Sequence, residues 1–351
     1  MRLFDNIHIR NFRGIREAEV TSLGSINVFF GKNNCGKSSL LEAFFLLTGP
    51  NNPMLLLRIN SFRSYGQFRE YDMLLDFYNL NQNGIIELSA SGKVHRKLSI
   101  SSFFDEVGEV KLDSTENGGS NSQERFYGLN HVFWIGDSKT EYRSKLSIQR
   151  GDLSKGQMRV DQRYIEPIRS LYVPSAYMQS PVNEVYGRLT EDKKERPIVD
   201  VLRSIEPKIR DMKLIGKELM VDIGIEKLLP LNMMGDGLRK LVSIVLAVYD
   251  CKEGVIAIDE VDNGFHYSTM ISLWKALALA SKESNTQVFL TTHNLDFLKG
   301  MTVLLRDENY KWFEREIAAY KLIKNEEDIL SALRYDSTTI DYSLEQEIEI
   351  R

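Results

Sequence analysis

Eight consecutive residues, Gly31-Lys32-Asn33-Asn34-Cys35-Gly36-Lys37-Ser38, satisfy the pattern G-x-x-x-x-G-K-[ST]. The chemistry of that pattern is the binding of a nucleotide's phosphates. Backbone N–H groups of the loop and the positive end of the following helix surround the β-phosphate. Lys37 is placed to reach the β and γ oxygens, and the Ser38 hydroxyl to ligate Mg²⁺. Ser39 continues the loop into the helix. Gly31 and Gly36 are needed because a Cβ would obstruct the turn or the approach of phosphate.

Two further segments supply the groups such a loop lacks. Val255-Ile256-Ala257-Ile258-Asp259-Glu260 is an apolar run ending in two carboxylates. Asp259 is placed to hold the Mg²⁺ shell, and Glu260 to face the γ-phosphate and polarise an attacking water. Gln287-Val288-Phe289-Leu290-Thr291-Thr292 is followed by His293, which could hydrogen-bond the γ-phosphate and sense its loss. A histidine packed beside a helix start at Asn294 is the plainer alternative. Lys37, Glu260 and His293 are thus the candidate catalytic groups.

These residues need rigid elements to hold them. Ile26-Asn27-Val28-Phe29-Phe30 reads as a buried strand entering the loop, and Ser39-Leu40-Leu41-Glu42-Ala43-Phe44-Phe45 as a helix start leaving it. Gly84 to Ala90 and Lys97 to Ile100 alternate like antiparallel strands, and a second β-rich stretch runs from about Phe126 to Arg150. Residues 51–80 mix arginines with aromatics, with Met73-Leu74-Leu75 and Phe77 as an apolar stripe at helical spacing; a helix face with solvated arginines explains this mixture better than a nucleic-acid surface. The tract from Asp113 to Glu124 is polar, turn-rich and expected to be mobile. Residues 183–213 read as helical and charged, without the sustained heptads of a long coiled coil.

At 351 residues the chain makes one large or two ordinary domains. Apolar content of 42% and charged content of 27% fit a soluble globular protein. No apolar run approaches a membrane span and no signal-peptide core follows Met1, so a cytoplasmic protein without membrane contact is expected. Cys35 and Cys251 form no metal-spacing pattern. Cys35 is either a permissive small residue or, at a helix N-terminus, a thiol of lowered pKa. A net charge of −4 argues against a nucleic-acid coat over the whole surface but not against a local basic face.

The order of these parts resembles the ABC-type ATPase superfamily. Ile7-His8-Ile9-Arg10-Asn11-Phe12-Arg13-Gly14-Ile15 is similar to the I-x-N-F-[RK]-[GS] opening of its RecF, SMC and OLD (overcoming-lysogenization-defect) branch. The closing stretch from Asp341 to Arg351 resembles the ends of stand-alone members. The resemblance covers residues 1–50 and 165–351. It implies an α/β P-loop NTPase head with an N-terminal antiparallel β subdomain, a mixed core sheet flanked by helices, and a short helical arm. Lobe I would span residues 1–180, the arm 181–225 and lobe II 226–351. It implies ATP and Mg²⁺ as cofactors and adds Arg13 to the nucleotide-binding set.

The same resemblance implies an ATP-dependent homodimer or higher oligomer, with a signature motif closing on the partner's γ-phosphate. Gly235-Asp236-Gly237 stands at that place, with Gly235 where a hydroxyl residue is usual, so the contact would rest on backbone N–H groups. A plain turn before a core helix is the alternative. Asn263 and His266 fall in the segment corresponding to the interfacial D-loop, although Asp-Asn-Gly is also a turn signal. The Q-loop residue is Ser175 or Gln179. With no nuclease domain evident after His293, the chain looks like the ATPase half alone. Its implied role is to gate a separately encoded effector (nuclease, protease or toxin) in prokaryotic anti-phage defence. The alternatives are a RecF-like DNA-binding repair ATPase and a non-catalytic ATP-dependent scaffold.

Overall fold

The computed structural model describes residues 2–63, 84–108, 124–149, 152–175 and 182–345. The stripe at Met73 to Phe77, most of the polar tract after Asp113, and Gln179 lie outside them. The N-terminal strands β1 (Phe4–Phe12) and β2 (Ile15–Val20) alternate buried and exposed side chains, as half-buried antiparallel strands must. By contrast β3 (Ile26–Phe30) is buried at every position, which requires cover on both faces. Next come helices α1 (Lys37–Leu47) and α2 (Met54–Arg63), and then the strands β4 (Ile86–Gly92), β5 (Arg96–Gly108), β6 (Glu124–Ile135), β7 (Tyr142–Gln149), β8 (Asp152–Arg159) and β9 (Ser170–Val173).

After α3 (Val182–Glu191) and α4 (Glu195–Ile205) come the short strands β10 (Asp211–Ile215), β11 (Glu218–Asp222) and β12 (Leu229–Pro230). The remaining elements are α5 (Asp236–Asp250), β13 (Val255–Ile258), α6 (Met270–Ser284), β14 (Gln287–Thr292), α7 (Leu295–Leu305), β15 (Ile317–Lys324), β16 (Ile329–Tyr335) and α8 (Ser337–Glu345).

Among the described residues, thirteen strands form one continuous sheet in the order β8-β7-β6-β5-β4-β1-β2-β16-β15-β3-β14-β13-β9. The first seven pair antiparallel; β15, β3, β14, β13 and β9 run parallel. The fold is thus the expected α/β head, with the antiparallel subdomain joined edge to edge to the mixed core through β2 and β16. The two-residue period of a strand divides the core. Ile26, Val28 and Phe30 face the helices α3 to α7, while Phe29 faces α1 and the antiparallel strands.

The region read as helical over 183–213 is two short helices, and from Asp211 the chain pairs as a small sheet, β10-β11-β12. Val185, Tyr186, Ile198 and Leu202 sit in the same core cluster as α5 and α6, and the Tyr186 hydroxyl donates to Met212 O at 2.7 Å. Strands this short carry too few alternations to stand out beside the preceding helical period.

Polar side chains pin the sheet to its helices. Gln287 accepts from the N–H groups of Leu3 and Phe4, both at 3.0 Å, and donates to Phe4 O and Gly24 O. Arg96 donates at 2.8 Å to Leu47 O, the last turn of α1, and forms a two-pronged pair with Glu166 at 2.6 and 2.8 Å.

His131 of β6 is buried and its Nδ1 donates to Pro50 O at 3.0 Å. Burial holds its pKa down at about 4, below the ordinary 6.5. The unfolded chain therefore takes up this proton first. The contribution is intact above pH 6.5 and is lost as pH falls toward 4, by about 3 kcal/mol. In urea unfolding at pH 7 and pH 4, wild type should lose about that much more stability than His131→Gln; equal losses would show that the histidine does not govern acid stability.

Candidate active site

Four parallel strands deliver their carboxyl ends to one place. Ile258 pairs with Leu290, Leu290 with Val28, and Phe30 with both Thr292 and Lys321. Asn33, Asn34 and Gly36 to Ser39 of the loop, with Glu260 and His293, consequently converge on one cleft of about 560 Å³, which Gly14, Arg63 and Lys324 also line.

The loop after β3 has the backbone its glycines allow. Gly31 has φ +148°, and a Cβ there would stand 2.6 Å from Leu322 O of β15. Gly36 has φ +101° and precedes α1, whose first turn carries no side-chain cap, so its N–H groups are available to an anion. Asn34 adopts φ +62°, a conformation asparagine tolerates better than most residues. Lys37 is nearly buried and folds back over the loop, Nζ donating to Gly31 O at 2.8 Å and Lys32 O at 2.9 Å. Cys35 is also buried, and burial pushes its thiol up although Lys37 nearby pulls the other way. This corrects the lowered pKa that a helix N-terminus suggested; desolvation outweighs the positive surroundings.

Thr291 organises the acidic pair. Its hydroxyl donates to Asp259 Oδ1 at 2.5 Å and accepts from Glu260 N–H at 2.8 Å. Asp259 N–H in turn donates to Val173 O of β9. Glu260 has φ +49°, an uncommon conformation for a non-glycine residue and one that turns the chain sharply after the strand. Its Oε1 lies 3.6 Å from His293 Nδ1, and both side chains are partly exposed. Asp259 is buried and is not among the residues that line the cleft.

Behind the loop helix lies a charge cluster without a motif. Glu42, on α1, is 1% exposed and takes Arg13 on one oxygen at 2.5 Å and Arg63 on the other at 2.7 Å. Arg13 also donates to Asn60 of α2 at 3.0 Å. Burial pushes the Glu42 carboxyl up, against the pull of Arg13 and Arg63. Arg13, assigned by resemblance to the nucleotide set, is buried against Glu42 and is not among the residues lining the cleft; Arg63 is. Arg63, Lys324 and Thr291 escaped the sequence reading. For Thr291 a signal existed, a hydroxyl inside an otherwise apolar core strand.

The remaining assigned residues lie elsewhere. Gly235 caps α5, and a Cβ on Gly235 or Gly237 would meet no atom within 4 Å. Asp236 pairs with Arg239. Lys240 donates to Asn263 O at 3.3 Å, so the start of α5 and the turn after Glu260 are tied together within the chain. His266 accepts from Ser268 N–H and caps the short turn before α6. Ser175 follows β9 after Pro174. None of these lines the cleft.

Over residues 1–117 and 157–298 the chain matches a protein family described as the AAA ATPase domain. It is 23% identical over 335 residues to the ATP/GTP phosphatase of Helicobacter pylori, covering 88% of this chain and 90% of that protein. A stretch of 44 residues is 57% identical to an uncharacterized protein of Methanocaldococcus jannaschii, 12% of this chain and 20% of that one. An SMC head solved bound to the C-winged helix domain of ScpA aligns with a TM-score of 0.51 at 11% identity, covering 95% of this chain and 98% of that one. That likeness is one of fold.

Because Thr291 is fully buried and satisfies two partners, the near-isosteric Thr291→Val should cost about 1–3 kcal/mol by leaving Glu260 N–H unpaired. Denaturant unfolding measures this, and a loss well below 1 kcal/mol would remove Thr291 from the role given it.

Proposed function

The chain belongs to the AAA ATPase domain family and is a P-loop ATPase on an SMC-head fold, and from that premise we propose how its own residues bind and cleave ATP. The observation that carries the reading is the convergence of the loop, Glu260 and His293 on one cleft. The triphosphate lies along the loop, its β-phosphate on the N–H groups that lead into α1. Lys37 leaves the carbonyls of Gly31 and Lys32 for the β and γ oxygens, where its charge opposes that developing on the phosphates. Gly31 to Ser39 form the remainder of the binding surface.

The residues fit Mg²⁺: a hydroxyl from Ser38 and a carboxylate from Asp259 are hard oxygen donors, few enough to leave positions for water and phosphate. Bound there, the ion would supply charge neutralisation between the β- and γ-phosphates. Thr291 keeps one Asp259 oxygen occupied and so orients the other. Glu260, turned by its left-handed backbone, accepts a hydrogen bond from a water and directs it in line at the γ-phosphorus. The new bond joins water oxygen to phosphorus, the bond to the bridging oxygen breaks, and ADP and phosphate leave. His293, within reach of Glu260, contacts the γ-phosphate and registers its departure.

The ATPase works, in this reading, as a dimer closed around ATP. The openness around Gly235 and Gly237 supports it, since nothing among the described residues demands glycine there, and Met233 just before them is 75% exposed. Asn263, tied to Lys240 of α5, and His266 are the further residues this reading assigns to the interface. In this proposal, opening and closing gate a separately encoded effector, and an anti-phage defence role is the reading suggested by the resemblance to stand-alone heads.

Glu260→Gln should lower ATP turnover by about a hundredfold or more while leaving ATP binding intact. Turnover at the wild-type rate would exclude Glu260 from the chemistry. The same variant with ATP should run as a dimer in light scattering. Adding Gly237→Arg should return it to monomer without loss of thermal stability; a persisting dimer would place the interface elsewhere.

A further inference from the structure

Lys324 is the last residue of β15. Along that strand Tyr320 and Leu322 are buried in the cluster that holds Phe29 and Leu40, on the face covered by α1. Alternation puts Lys324 on the same face. Because β3 stops at Phe30, opposite Lys321, the end of β15 runs beside the loop on that edge, while its other edge stays paired with β16 through Lys324 and Leu330. That is where Leu322 O excludes a side chain from Gly31. The inward-facing row therefore ends in an ammonium group instead of another apolar residue, and that group lines the cleft together with Lys37 and Ser38.

The local contacts do not account for a lysine here. Its side chain is only 25% exposed, and few lysines are so covered without a reason. Nζ lies 3.1 Å from Asp328 and donates to Gly14 O at 3.3 Å, two acceptors for three N–H donors. Nor is it required to fasten the turn between β15 and β16. Arg16 already does so, through Glu327 at 2.7 Å and through its own N–H to Asp328 O at 2.9 Å.

We propose that Lys324 is a phosphate ligand of the bound nucleotide, donating from β15 while Lys37 donates from α1. The inference rests on the cleft being the ATP site proposed above and deepens it. Asp328 and Gly14 hold the ammonium at the cleft wall, and its remaining donor engages a phosphate oxygen when nucleotide enters. A charge-assisted bond of this kind makes the site tighter without any part in cleavage.

Calorimetric titration of ATP into wild type, Lys324→Met, Lys324→Arg and Asp328→Asn, with thermal melts of each, tests this. Lys324→Met should weaken ATP by about ten- to a hundredfold. Lys324→Arg should recover most of that loss, and Asp328→Asn, which keeps the ammonium but loosens its hold, should lose distinctly less than Lys324→Met. Unchanged affinity in Lys324→Met overturns the inference. Equal losses in Lys324→Met and Asp328→Asn overturn it as well, because the lysine is then only a tie within the turn. A wild type that binds no ATP, or a Lys37→Ala variant that binds it normally, instead brings down the reading of the site on which this one rests.

Discussion

The parallel register of β13, β14, β3 and β15 is the constraint on which everything else in the molecule depends. Each of these strands contributes its group at or just past its carboxyl end, so the groups meet only if the strands end at the same level. A slip of one residue would turn each side chain to the opposite face. Phe29 would leave the α1 side, Ile26, Val28 and Phe30 would leave the helical layer of α5 to α7, and both cores would be lost together. The site geometry is therefore specified by apolar packing on two sides of the sheet, and by polar chemistry only at its last step. Thr291 performs that step by joining Asp259 to Glu260 across two strands.

Buried charge serves orientation more than stability. An ion pair removed from water gains little net free energy, because desolvation offsets the attraction, whereas removing one partner is severely destabilising. The pairs here hold the helix that carries the loop. Glu42 fixes the middle of α1 to Arg13, in the turn between β1 and β2, and to Arg63, at the end of α2. Arg96 fixes its last turn through Leu47 O while Glu166 neutralises it. With both places held, α1 can neither rotate nor slide, and its N-terminus keeps a constant aim at the cleft.

Much of this was legible in the residues. Strands of four to six apolar residues that end in a glycine loop, a pair of carboxylates or a histidine announce both a parallel core and the groups it presents, and β3, β13 and β14 lie where that reading put them. Local signals failed where a partner distant in sequence decides the outcome. The pairing of Arg13 with Glu42 leaves no trace in the local pattern, and Arg63 and Lys324 belong to no motif. Cys35 shows how two local rules compete: a helix N-terminus favours thiolate, but burial beneath the loop disfavours it more strongly. In β10 to β12 the strands are too short for periodicity to register.

The first strands of the chain and its last third are also joined, both at the cleft and at the far end of the sheet. Lys324 meets Gly14, Arg16 meets Glu327, and Gln287 holds the backbone of Leu3 and Phe4, all contacts between residues more than 280 positions apart. Such pairings carry the full entropy of closing a long loop and form only when most of the intervening chain is already ordered. The walls of the site are thus among the last parts of the native structure to be completed. A ligand that binds there favours the fully assembled chain over every partly folded form, so the nucleotide stabilises the whole fold through the site where it would be cleaved.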